Sequence, residues 1–313
     1  MKIKRVQFNH YGAASEMYIG EYDLPQPKQN EVLVRVKAAA INPLDWRQRQ
    51  GEMKLFMDRK FPKGIGNDFA GVVESVGENV RHVKAGDEVF GTMPIRNPGA
   101  FADALVTQAR FVAKKPSEIS FAEAACLPIP AATAWAAILT KAKVSAHSRV
   151  LITGCTGSVG AMATQLSIAT GAKVAGTCSQ TSMNNAQLAG VSPVFDYNDK
   201  ISLSNTEPFD VIFDTAGKLD IKRGLSLLKP KGVFIDINPN AGRILRGLLS
   251  RRYKLVFATM GMKYLPNIAN FASQGTLKPA IGLKTSFLDA IETIKAIEGG
   301  QRVQGKTVLL FQE

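Results

Sequence analysis

The stretch VLITGCTGSVGAMATQL, residues 150–166, decides the fold. An apolar run ends at Gly154, and Gly157 and Gly160 follow at intervals of three. From Val159 the apolar positions recur at Met162, Ala163, Leu166 and Ala169, the spacing of one helix face. A buried strand that passes through a glycine loop into a helix is the setting in which backbone N–H groups and the helix dipole hold a phosphate. Gly154 and Gly157 can take positive φ and leave room for a pyrophosphate, and Gly160 lets the helix pack closely on the sheet. Thr156 and Ser158 add hydroxyl donors. The spacing is GxxGxxG and not GxGxxG, so a close-packed structural turn is the competing reading.

Working outward, 149–154, 173–179, 193–198, 210–217, 232–237 and 254–260 read as strands separated by helical stretches. That alternation predicts parallel strands with right-handed crossovers, a doubly wound α/β Rossmann sheet. The first 115 residues read differently. EVLVRVKAAAI (31–41), DFAGVVESVG (68–77), DEVFGTM (87–93), ADALVT (102–107) and FVAKKP (111–116) predict short strands of a compact antiparallel barrel. Residues 121–142 are helix-prone, with Pro128 and Pro130 breaking them in two. A helix over 286–300 and a strand over 306–311 suit a C-terminal return to the first domain.

Size and composition set limits. The chain has 313 residues, is 45% hydrophobic and 21% charged, and is long enough for two domains. No apolar run reaches the roughly 18 residues of a membrane helix. MKIKRVQFNHYG (1–12) reads as a first strand, not a signal peptide, which predicts a cytoplasmic location. Three scattered cysteines and three scattered histidines offer no disulfide framework and no zinc-site spacing. Lys and Arg number 39 against 26 acids, a net charge of +13 that attracts anions. RILRGLLSRRYK (243–254) predicts an amphipathic helix with Ile244, Leu245, Leu248 and Leu249 toward the core and a solvated basic side. A nucleic-acid or membrane patch is the alternative there, although aromatics are not interleaved.

The strand after the glycine loop ends GTCSQTSMNNAQ and holds no acid. An NAD site places Asp or Glu there for the ribose 2′-hydroxyl, so its absence favours NADPH. No Arg or Lys lies in the stretch to grip a 2′-phosphate.

These segments, with AAAINPLDWRQRQG (38–51), GNDFAGVVESVGENVRHVKAGDEVFG (66–91), GAFADALVT (99–107), LPIPAATAWAAI (127–138), FDTAG (213–217) and GKTVLLF (305–311), resemble a zinc-independent medium-chain dehydrogenase/reductase of the quinone oxidoreductase branch. The likeness spans nearly the whole chain. It implies a GroES-like, partly open β-barrel catalytic domain over 1–122 and 276–313, around a Rossmann domain over 123–275, with NADP(H) in the cleft between them. It implies nicotinamide-side roles for Asn42 and Asp45, a helix-start contact at Thr133, and diphosphate contacts at Gly157, Ser158 and Val159, beside the hydroxyl of Thr156. It further implies 2′-phosphate-side contacts at Ser179 and Tyr197, and cofactor contacts at Ala216 and Gly217 of FDTAG.

Each residue has a plainer reading beside this one. Asn42 could be a buried turn asparagine before Pro43, Asp45 a helix N-cap, Tyr197 an edge-strand aromatic. Asp68 could pair with a cation of its own domain. Cys155 could be a stabilised thiolate at the helix start or a small filler. Zinc relatives carry GHE where this chain has Gly66-Asn67-Asp68, and Asn67 is no normal zinc ligand. Without zinc, the expected reaction is hydride transfer to an acceptor already activated, a quinone or an α,β-unsaturated carbonyl. The alternatives are an NADPH-binding sensor or RNA-binding protein on the same fold, or a zinc-free alcohol or ketone reductase. A homodimer through the 254–260 strand is a further implication.

Overall fold

The first strands are β1 (Lys2–Phe8), β2 (Met17–Asp23) and the valine-rich, alternating β3 (Glu31–Ala40). Helix α1 (Pro43–Arg49), the two-residue β4 (Lys63–Gly64), β5 (Asp68–Val76), β6 (Glu88–Thr92), β7 (Ala104–Gln108) and β8 (Val112–Lys114) follow. The computed structural model describes residues 1–199, 203, 206–238, 242–243, 245 and 250–312. β1 pairs antiparallel with β2 and β4, and β3 pairs antiparallel with β5 and β7. Alternate residues Val32, Val34 and Val36 of β3 thereby face a core containing Phe69, Phe101 and Leu105. This is the GroES-like barrel.

Helix α2 (Phe121–Ala125) starts at Ser120, whose Oγ accepts from the Glu123 N–H while Glu123 accepts from the Ser120 N–H. Helix α3 (Pro128–Trp135) continues into a π-helical turn over Ala136–Lys141. Pro128 and Pro130 were expected to break the helix-prone stretch in two, and it does divide into α2 and α3; both prolines sit in the first turn of α3, where the missing N–H has no helical partner to lose.

The alternating region then forms β9 (Arg149–Thr153), α4 (Ser158–Ala169), β10 (Lys173–Cys178), α5 (Met183–Leu188), β11 (Val194–Asp196), β12 (Phe209–Asp214), α6 (Ile221–Ser226), β13 (Leu228–Asp236) and β14 (Tyr253–Leu255). Among the described residues the strand order is β11-β10-β9-β12-β13-β14, all parallel. Strand order reverses between β9 and β12, the switch point of a Rossmann sheet. The strand expected over 254–260 is shorter. The chain turns into a 3-10 helix over Ala258–Tyr264, with Gly261 against the Ala132 backbone, where a Cβ would stand 1.9 Å from the carbonyl oxygen.

Helix α7 (Leu265–Ser273), β15 (Ile281–Ser286), α8 (Ala290–Glu298) and β16 (Lys306–Leu310) complete the chain. β16 pairs antiparallel with β3, Val308 opposite Ala40. The compact units are Met1–Ile129 with Leu265–Gln274 and Lys278–Glu313, and Pro130–Tyr264 with Gly275–Leu277. Within the first unit α2 packs on β3 and β5, and α7 packs on β8 with Leu265, Ile268 and Ala272 buried. Among the described residues no helix is long and apolar enough to cross a membrane.

Candidate cofactor loop and a buried carboxyl cluster

Gly154 ends β9 with φ +64, and the Gly157 N–H closes the turn on the Gly154 carbonyl at 2.9 Å. The loop therefore needs positive φ at 154 and not at 157. Gly157 is the N-cap of α4, at φ −73 and ψ 166, and no side chain caps that end. A Cβ on Gly157 would meet only the Gly154 oxygen, at 3.2 Å, so its outer side is open. Gly160 packs closely too, but against the loop: a Cβ there would stand 2.1 Å from the Gly154 oxygen. Thr156, Ser158 and Val159 are half-buried around this opening. The first N–H groups of this twelve-residue helix have no side-chain cap and Gly157 beside them is exposed, which suits a dinucleotide's phosphates.

The loop after β12 lies beside it, since a Cβ on Gly154 would be 3.1 Å from Thr215 Oγ1. Ala216 and Gly217 are bound from below. Fully buried Asp214 accepts from Thr153 Oγ1 at 2.6 Å, from the Gly217 N–H at 3.0 Å and from the Leu219 N–H at 3.3 Å. Burial raises its pKa against the opposing pull of Thr153 and Arg243. Arg243 donates to Asp214 at 2.7 Å, to Asp236 at 2.5 Å, and to the carbonyls of Gly217 and Leu219. Tyr253 OH donates to Asp236 at 2.8 Å. Arg243 was expected on a solvated basic side; it is a clasp inside the second unit. Leu245, expected toward the core, is 67% exposed, and Ile244, Arg246, Gly247, Leu248 and Leu249 lie outside the described residues. The signal for Arg243 was in the sequence. Two apolar strands, IFD and FID, end in Asp at opposed register positions 214 and 236, and paired buried acids require a cation.

Ser179 follows β10, its hydroxyl within 3.1 Å of Thr181 Oγ1 and 3.0 Å of Ser182 Oγ. Tyr197 follows β11 and donates its N–H to the Cys178 carbonyl at 3.0 Å. The loop glycines, Ser179, Tyr197, Ala216 and Gly217 thus all lie at the carboxyl ends of β9 to β12. Thr133 is buried within α3. Cys155 is also buried, and burial first, then Cys178, pushes its thiol up to about 12. It fills space left by Gly176, where a Cβ would be 2.6 Å from its sulfur. The thiolate reading is corrected: the helix start does not offset desolvation.

The first unit holds a different constellation. Asn42 is the N-cap of α1, and its N–H donates to Asp45 Oδ2 at 2.7 Å. Asp45 is thus the third helical residue, not the N-cap. Asn42 Nδ2 donates to Asp68 Oδ2 at 3.0 Å and to the Ala40 carbonyl at 3.3 Å. Its Oδ1 accepts from Lys306 Nζ at 2.7 Å, and Lys306 also donates to the Ile41 carbonyl at 2.7 Å. Asp68 further accepts from the Ile129 N–H, the second residue of α3. The pairing of β16 on β3 brings Lys306 here, 264 positions from Asn42. Asn42, Asp45, Asp68 and Lys306 are all buried.

Two carboxyls share one ammonium in this interior. Desolvation raises Asp45 to about 8 and Asp68 to about 7, with Lys306 pulling both down. Asp68 accepts from Asn42 Nδ2 and the Ile129 N–H, and Asp45 from the Asn42 and Asn67 N–H groups, so burial and not a lack of donors raises both. Asp45 Oδ1, Gln48 Oε1 and Asn67 Oδ1 are buried with no partner among the described residues. A zinc ion does not fit here. Asn67 replaces an imidazole, Asp68 is engaged by Asn42 and Ile129, and no group of three His, Cys, Asp or Glu side chains is suited to a metal among the described residues.

Comparison with known proteins agrees with both units. Residues 28–117 match the alcohol dehydrogenase GroES-like domain, and 189–309 match the zinc-binding dehydrogenase family. The mitochondrial NAD(P)H oxidoreductase RTN4IP1 of Danio rerio is 30% identical over 91% of this chain and 84% of its own. The 2-methylene-furan-3-one reductase of Solanum lycopersicum is 29% identical over 98% of this chain and 79% of its own. The solved quinone oxidoreductase from Coxiella burnetii superposes with a TM-score of 0.90 at 26% identity, covering 100% of both chains.

Proposed function

We propose a specific reaction for this chain, which belongs to the medium-chain dehydrogenase/reductase family, in its quinone oxidoreductase-like branch, and is an NAD(P)H-dependent oxidoreductase. It is an NADPH-dependent, zinc-free reductase of quinones and α,β-unsaturated carbonyl compounds. One observation carries this reading: the uncapped start of α4 opens at the switch point between β9 and β12. Bound there, the cofactor would supply the hydride. The amides of Ser158, Val159 and Gly160 would hold its phosphates, and Ala216 and Gly217 would line the neighbouring loop. The absence of an acid in Ser179–Ser182 supports NADPH over NADH.

Asn42 acts as a positioning residue at the start of α1. Lys306 fixes its carbonyl oxygen and Asp68 its amide, so the carboxamide cannot rotate. Asp45 beside it accepts the Asn42 N–H, and burial raises its pKa to about 8. The donor set around Asn67 supports chemistry without zinc, and such chemistry favours acceptors that already delocalise incoming charge. Relatives named for quinone and furanone reduction support the same acceptor class. The reading also includes a homodimer through the edge strand β14 and a cytoplasmic location. Light scattering checks the first; cell fractionation checks the second, since the Danio rerio relative is mitochondrial.

The test is consumption of NADPH with 1,4-benzoquinone and with 1-octen-3-one. Turnover with either supports the proposal. NADPH binding without turnover across a panel of quinones, enones and ketones would favour a sensor, and turnover with ketones alone would favour a ketone reductase.

A further inference from the structure

The stretch QTSMNN (180–185) lacks a cation for a 2′-phosphate, yet the fold brings one from elsewhere. Lys218 lies on the loop after β12, exposed, with Nζ 5.7 Å from the centroid of the Tyr197 ring. Tyr197 is itself joined to the end of β10 by its bond to the Cys178 carbonyl, the residue before Ser179. Three hydroxyls, of Ser179, Thr181 and Ser182, cluster at that end. An ammonium, a half-exposed phenol and a group of hydroxyls therefore gather where β10 and β11 finish.

Lys218 is also held in place. Its neighbours Gly217 and Leu219 each donate an N–H to Asp214 and each accept from Arg243. The backbone is pinned on both sides of a side chain that projects to solvent. The nearby acid Asp196 ends β11 just before Tyr197, and its Oδ1 accepts from the Asn198 N–H at 2.8 Å. A phosphate dianion needs one fixed cation and several donors, and a lysine supplies the charge without demanding a planar approach.

We propose that Lys218 is the specificity-determining cation for the 2′-phosphate of NADPH, supplying from the β12 loop what the β10 loop lacks. The proposal rests on the cofactor reading above. It makes selectivity depend on the Arg243 clasp as well as on Ser179 and Tyr197.

Calorimetric titration of the intact protein with NADPH, NADH, 2′,5′-ADP and 5′-AMP tests it without turnover. Wild type is expected to prefer NADPH over NADH and 2′,5′-ADP over 5′-AMP. Lys218→Ala should weaken NADPH and 2′,5′-ADP about tenfold and leave NADH and 5′-AMP unchanged, with Lys218→Arg retaining most of the preference. An unchanged NADPH-to-NADH ratio in Lys218→Ala, or an equal loss for both nucleotides, would overturn the assignment while leaving the cofactor reading intact. Failure of wild type to bind either dinucleotide would overturn both.

Discussion

Asp45 Oδ1, Gln48 Oε1 and Asn67 Oδ1 are three buried acceptors without donors among the described residues. The Asn67 N–H bonds to Asp45, and Gln48 lies one turn along α1, so they belong to one neighbourhood. Desolvation outweighs the pull of Lys306 and the Asn42 and Asn67 N–H groups on Asp45, and its neutral form turns one of these acceptors into a donor. Between the ordinary carboxyl pKa of about 4 and the raised values, the folded chain binds more protons than the unfolded chain. The contribution of Asp45 and Asp68 is therefore complete at low pH and is lost as pH rises through about 7 to 8. Asp45→Asn replaces that proton with an amide donor. It should gain several kcal/mol on wild type in urea unfolding between pH 5 and pH 9. The same difference at both pH values would contradict the protonated Asp45. Asn42, Asp45 and Asp68 were legible as candidates because they fall in short motifs. Lys306 was not, because only strand pairing 264 positions away makes it their neighbour.

At the scale of elements, β9, the glycine loop and α4 were legible from spacing alone, because helix periodicity and a strand-ending glycine are local properties. The loop after β12 was legible only as a motif. Its shape depends on Arg243, which arrives from beyond β13 and neutralises two buried acids. Removing one partner of such a group leaves charge uncompensated in the interior. Arg243→Met should therefore destabilise the second unit by about 3–5 kcal/mol. Where it folds, it should weaken NADPH binding by loosening residues 215–219. Thermal unfolding with and without NADPH reads both effects, and an unchanged Tm with unchanged affinity would remove the clasp from the account. The solvated helix expected over 243–254 fails at Arg243 for the same reason: periodicity reports a face, not the acids of a distant strand.

Over the whole molecule, two texture changes along the chain, from β-rich to alternating and back, announced the two units. The charge of +13 pointed to anionic partners without choosing among them. The donor set around Asn67 predicts that chelation leaves the reaction untouched. NADPH-dependent quinone reduction should be unchanged after dialysis against 1,10-phenanthroline, and loss restored by zinc would contradict the zinc-free reading. The account as a whole turns on where the dinucleotide sits. Gly157 already has the backbone of an N-cap and open space outside it, so Gly157→Asp suits the helix while placing a carboxylate where the proposal seats the phosphates. Titration of NADPH into wild type and Gly157→Asp is the most direct test. The prediction is a Tm within about 3 °C of wild type, or above it, with NADPH affinity reduced about a hundredfold or more. Undiminished affinity in the folded variant would contradict the assignment of this loop.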